Sequence, residues 1–194
     1  MILFDNRVGA KITSESLNLL ESIAEFALKS IAAEFSGRNI ELLLVSNDEI
    51  RALNAEFLGR DYATDVLSFP LDSSEIVIKS HESSGDFSDF SSDSGADSQI
   101  DSPLDSHIDS NIDSHLDLPK LPLGSIVIAY PMADCVAKAQ NHSLQTELAI
   151  LFTHGLLHLL GYNHEADNGE HRVKESEILA HFRIKSTLIS RNDS

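Results

Sequence analysis

The stretch His154-Gly155-Leu156-Leu157-His158-Leu159-Leu160-Gly161-Tyr162-Asn163-His164 constrains this chain more than any other. Two histidines four apart on a helix lie one above the other on one face. Their imidazoles can take two adjacent corners of a metal's coordination shell. Gly161 tolerates positive φ and suits a helix end. The chain can turn there and bring His164 back towards the same point. Three neutral imidazoles with no thiolate suit zinc, and nickel or copper less well. Three protein ligands leave a fourth position for water, which marks a catalytic rather than a closed structural site. The expectation is one Zn2+ per chain on His154, His158 and His164.

The spacing resembles the metzincin signature H-E-x-x-H-x-x-G-x-x-H, with one departure. Gly155 stands where a metalloprotease carries its glutamate. That glutamate takes a proton from the zinc-bound water, and glycine has no group to do so. The metal cage without the peptidase base argues for a hydrolysis other than proteolysis. No general base is identifiable in the sequence.

The helix expected over residues 146–160 is apolar nearly all round, which marks a central, buried helix. It is a rigid platform for ligands. Glu147 lies seven residues before His154, on roughly the same face. It either orients a histidine or complements the helix dipole from the first turn.

Around this helix the pattern reads as follows. Strands are expected at residues 2–7, 40–45, 66–69, 75–78 and 124–129, the fourth a candidate hairpin partner of the third. Helices are expected from the Thr13 or Ser14 cap to an end at Ser36-Gly37, from Ser46 or Asn47 to Gly59, from Pro131 to about 141, from a Thr146 cap to Leu160, and over 168–182. The order gives an α+β domain: one small mixed sheet packed by about five helices, with the metal site on a buried helix in the C-terminal half. His171 and His181 fall on the last helix and read as surface or packing residues. His142 falls in a turn.

At 194 residues one domain is the default, and 42% hydrophobic content suffices for a core. Cys135 is the only cysteine, so no intrachain disulfide can form and a reducing compartment is expected. The first residues lack the charged start and apolar run of a signal peptide. No apolar run approaches the ~18 residues of a membrane span. The chain is expected to be cytoplasmic, with no membrane partner.

The net charge of −17 is unevenly distributed. Residues 86–117 hold nine aspartates and no lysine or arginine, with Asp recurring every fourth residue from Asp89 to Asp117. Asp and Ser compete with helix for local hydrogen bonds, Pro103 interrupts any regular element, and like charges would stack on one helix face. Residues 80–120 therefore read as a low-complexity Asp/Ser tetrapeptide-repeat insertion, a solvated loop. A weak cation-binding or partner-binding arm is the alternative, with His107 and His115 as repeat variation. Were the partner an RNA, an arm of this charge could also shield the body from non-specific binding. Deleting Asp86 to Asp117 should then raise non-specific affinity, and unchanged binding would discard the idea.

Three blocks together resemble the YbeY family of metal-dependent endoribonucleases. Leu53-Asn54 with Arg60-Asp61-Tyr62-Ala63-Thr64-Asp65-Val66-Leu67-Ser68-Phe69-Pro70 is similar to the family's L-N…R-G-x-D-x-P-T-D-V-L-S-F-P. Leu123-Gly124-Ser125-Ile126-Val127-Ile128 is similar to L-G-D-I-x-I, and His154 to His164 with Glu165 to H-G-x-L-H-L-x-G-Y-D-H. Asn163 and Ser125 replace aspartates, and Ala63 replaces a proline. The family's arginine before the glycine falls on Leu58, and Arg60, just after Gly59, is the nearest substitute.

The resemblance implies one YbeY-like domain over residues 1–194. It implies zinc on the three histidines, hydrolysis of single-stranded RNA, small-subunit ribosomal RNA 3′-end processing and ribosome quality control. Ribosomal RNA and small-subunit proteins are the implied partners. Arg60 is the candidate catalytic cation, and Arg60, Thr64 and Ser68 are candidate substrate contacts. A solvated loop charge is the other reading of Arg60, and Asp65 reads as a turn or cap residue or as a catalytic one. Two further classes stay open: a metal-dependent hydrolase of another substrate, and a non-catalytic ribosome-assembly factor with a structural metal.

Overall fold

A computed structural model of the chain describes residues 1–71, 121–164, 167–185 and 188. The expected strand at 75–78 and the Asp/Ser insertion at 80–120 lie outside them. The elements are β1 (Ile2–Asn6), α1 (Ser14–Ile31), a 3-10 turn (Ala33–Phe35), β2 (Ile40–Val45), α2 (Asn47–Leu58), β3 (Val66–Pro70), β4 (Gly124–Ala129), α3 (Tyr130–Ala139), α4 (Leu144–Leu159) and α5 (Glu170–His181). This is the α+β architecture expected, with one mixed sheet and five α-helices.

Local chemistry sets the helix limits. Thr13 Oγ1 accepts from Ser16 N (3.2 Å) to open α1, and Ser46 Oγ accepts from Glu49 N (3.2 Å) to open α2. Helix α4 begins earlier than expected. Its cap is Ser143, whose Oγ accepts from Thr146 N at 3.1 Å. Thr146 therefore lies inside the first turn, as the donor to a cap three residues upstream.

The sheet order is β1-β2-β4-β3. β1 and β4 run parallel to β2, whereas β3 is antiparallel to β4. Leu42 and Leu44 lie opposite Ile126 and Ile128, and the period of two points these side chains to one face. There they meet Leu20, Ile23 and Ala27 of α1 and the apolar body of α4. Leu67, Val127 and Ala129 point the other way and pack on Ile50 of α2. Helix α4 is buried from Glu147 through Leu157. A leucine or isoleucine truncated to alanine in such a core costs about 2–5 kcal/mol. The helix that carries the two spaced histidines is thus fixed by the core. No helix among the described residues is long and apolar enough to cross a membrane.

Candidate metal centre

His154 and His158 stack on one face of α4 as the four-residue spacing requires, and their Nε2 atoms lie 3.1 Å apart. After α4 the chain turns at Gly161, where φ is +85°. A residue with a Cβ is strained there. The turn returns His164 to within 5.2 Å of His154 and 5.3 Å of His158, ring centre to ring centre. One ligand atom from each of the three lies within 4.8 Å of the others.

Zinc–nitrogen bonds of 2.0–2.1 Å in a tetrahedron set neighbouring ligand nitrogens about 3.3 Å apart. The 3.1 Å contact is close to that edge. Burial pushes His158 down to about 4, helped by His154 and His164 beside it. At neutral pH its imidazole is uncharged and keeps a lone pair for a cation. The donor set thus fits a zinc-like ion.

The histidines form one wall of a cleft of about 630 Å³. The facing wall comes from β3 and the loop before it, and includes Arg60, Tyr62, Thr64 and Ser68. The loop is tied down at three points. Asn54 Nδ2 donates to Tyr62 O (2.8 Å), Arg60 N donates to Asn54 O (3.2 Å), and Arg51 grips Asp61 through two bonds of 2.7 and 2.9 Å. Arg60 is exposed and makes no ion pair with another described residue. Leu58, 52% exposed, lines the same cleft. Both candidate positions for the cation therefore face the metal wall. Asp65 acts as a turn residue: its Oδ1 accepts from Val66 N (3.0 Å) and from Thr64 Oγ1 (3.3 Å).

Among the described residues, three histidines outside the motif occupy different places. His181 packs as expected, stacked on Phe26 at 3.9 Å. His142 meets Glu147, Nε2 to Oε2, at 2.7 Å, so Glu147 does serve a histidine, though one outside the motif. His171 takes the packing alternative and not the surface one. It is fully buried among the other three rings, at 4.6 Å from His154, 4.8 Å from His158 and 5.4 Å from His164. Helix α5 packs on α4 and turns this side towards the motif.

Glu175, one turn further along α5, is also fully buried, and its Oε1 lies 3.5 Å from His154 Nδ1. Sequence reasoning did not single it out. The signal was present, because His171 and Glu175 are four apart and so share a helix face, as His154 and His158 do.

Residues 4–183 match the profile of the family described as endoribonuclease YbeY. An endoribonuclease YbeY from Nautilia profundicola is 35% identical over 193 residues, covering 100% of this chain and 99% of the relative. One from Wolinella succinogenes is 36% identical over 193 residues, with the same coverage. One from Helicobacter pylori (strain ATCC 700392 / 26695) is 40% identical over 152 residues, 78% of this chain and 77% of the relative. With nearly all of its length matched, the chain belongs to the endoribonuclease YbeY family.

Proposed function

We propose that this chain is a metal-dependent, single-strand-specific endoribonuclease, a cytoplasmic hydrolase that holds zinc on His154, His158 and His164. Its place is ribosomal RNA maturation, in small-subunit RNA 3′-end processing and ribosome quality control, with ribosomal RNA and small-subunit proteins as partners. Residues 1–194 form one domain interrupted by the 80–120 insertion. Family membership supports the RNA substrate. The observation that carries the metal-dependent reading is the meeting of three imidazole nitrogens on one wall of an open cleft whose other wall presents Arg60, Thr64 and Ser68.

When bound, zinc supplies Lewis acidity towards a phosphoryl oxygen and a water acidified to a pKa of about 7. The residues of the chain do the rest. His154, His158 and His164 each offer one ring nitrogen to the same place. Arg60 steadies negative charge developing on the phosphodiester. Thr64 and Ser68 donate hydroxyl hydrogen bonds to the RNA backbone. Tyr62, 55% exposed at the cleft, offers a ring on which an unpaired base stacks, whereas a paired base has no free face to present.

The test compares native protein with His154→Ala and His158→Ala on single-stranded RNA, duplex RNA and a peptide, with and without chelator. Single strands should be cut by native protein alone, with loss in chelator and recovery on added zinc. RNA cleavage that survives both substitutions would mean a contaminating nuclease. A large fall in Tm with cleavage unchanged would favour a structural metal in an assembly factor.

A further inference from the structure

Behind the three-histidine wall lies a second constellation that the proposed reaction does not use. His154, His171 and Glu175 are buried, at 6%, 0% and 0% exposure. One ligand atom from each lies within 4.8 Å of the others. Four of their polar atoms, His154 Nδ1, both ring nitrogens of His171 and Glu175 Oε2, are buried without a hydrogen-bond partner. Glu175 Oε1 accepts from Leu188 N at 3.2 Å. The 3.5 Å from that oxygen to His154 Nδ1 is long for a hydrogen bond, yet close to the ~3.3 Å edge between two ligands of a tetrahedral ion.

Buried polar groups are normally paired, and a buried carboxylate needs a counter-charge. Here several orphaned donors and acceptors of the zinc-binding type converge on one place. We propose that His154, His171 and Glu175 form a second divalent-cation site beneath the first. Two imidazoles and a glutamate are a ligand set that zinc takes, and the second carboxylate oxygen supplies a further contact.

The two sites share the His154 ring from opposite edges. Nε2 faces His158 and the open cleft, whereas Nδ1 faces Glu175 and the interior. The inner site does not depend on the outer triad cutting RNA.

The test counts metal on the full chain. Protein stripped with chelator is dialysed against Zn2+, then against Co2+, and bound metal is measured by elemental analysis and calorimetric titration. Native protein should hold two equivalents. His171→Leu and, should that variant fold poorly, Glu175→Gln should hold one equivalent and change the Co2+ absorption spectrum. His164→Ala should lose the outer equivalent and keep the inner. One equivalent in native protein, with the same count and Co2+ spectrum in Glu175→Gln, would overturn the proposal while leaving the outer triad's role untouched. RNA cleavage lost in native protein that still holds two equivalents would sink the nuclease reading instead.

Discussion

Ser68 Oγ on β3 lies 3.0 Å from the point where a side chain on Gly155 would begin. Ile126 Cγ2 on β4 lies 2.9 Å from that point. Helix α4 therefore rests on the sheet at Gly155, between His154 and His158. The glutamate that a metalloprotease carries here has no room, so its absence is a packing requirement as well as a chemical one. Gly155→Ala should gain up to ~1 kcal/mol of helix propensity and lose about 1–3 kcal/mol to overpacking. A net loss of about 1 kcal/mol lowers Tm by roughly 2–4 °C in a chain of this size. Gly155→Glu should prevent folding. Thermal melts decide the matter, and an Ala variant that melts at or above native would mean that β3 yields freely.

The three-histidine wall was legible because its cause is local: a four-residue helical spacing and a glycine that turns the chain. Four of the expected strands, at Ile2–Asn6, Ile40–Val45, Val66–Pro70 and Gly124–Ala129, were legible for the same reason, since a short apolar run needs only neighbouring residues. His171 and Glu175 were not. Their helix carries Val173 at 53% exposure, so its apolar pattern is weak, and only its docking on α4 decides which side is buried. The Ser143 cap was missed because Thr146, three residues on, is an equally good capping type. Propensity alone does not choose between a cap and the residue that donates to it.

Acid should destabilise the metal-free protein through the buried histidines. Burial pushes His158 down to about 4, and burial together with the His154 and His158 rings pushes His171 down to about 3. In the unfolded chain both take up protons near 6.5. Between pH 6.5 and about 4 the unfolded state therefore binds more protons, and stability falls as pH falls through that window. Above 6.5 these two groups contribute no slope. Calorimetry in chelator should show Tm level from pH 8 to 7 and falling below 6.5. His171→Leu should show a shallower fall. A Tm that rises on acidification from 6.5 to 4 would contradict the assignment of these rings as buried and neutral.

Asn54 should control the loop that faces the metal wall. It is 1% exposed; its side-chain Nδ2 donates to Tyr62 O, and its backbone carbonyl accepts from Arg60 N. Asn54→Ala leaves the Tyr62 carbonyl without its side-chain donor, a cost of about 1–3 kcal/mol. The same change frees the segment that carries Arg60 and Thr64. RNA cleavage should lose kcat/KM by more than the fall in folded fraction at the assay temperature explains. Asp61→Ala, which breaks an exposed ion pair with Arg51, should act on the same loop with a smaller effect on Tm. Activity that tracks folded fraction alone in Asn54→Ala would reduce the residue to a stability role.

Arg60 and Tyr62 should separate charge from stacking in RNA binding. Each phosphate contact to a single strand contributes about 0.7 to the slope of log K against log salt. Arg60→Ala should lower that slope by about 0.7 and weaken all single strands alike, while Arg60→Lys restores the slope. Tyr62→Ala should leave the slope unchanged and cost about 1–3 kcal/mol, the worth of one stacked base. The loss should be absent on duplex RNA, whose bases are not free to stack. Fluorescence anisotropy across a salt series, with a labelled single strand and its duplex, measures both effects at once. An Arg60→Ala variant with native slope would return this residue to an ordinary solvated charge and shift attention to the other basic residues of the body.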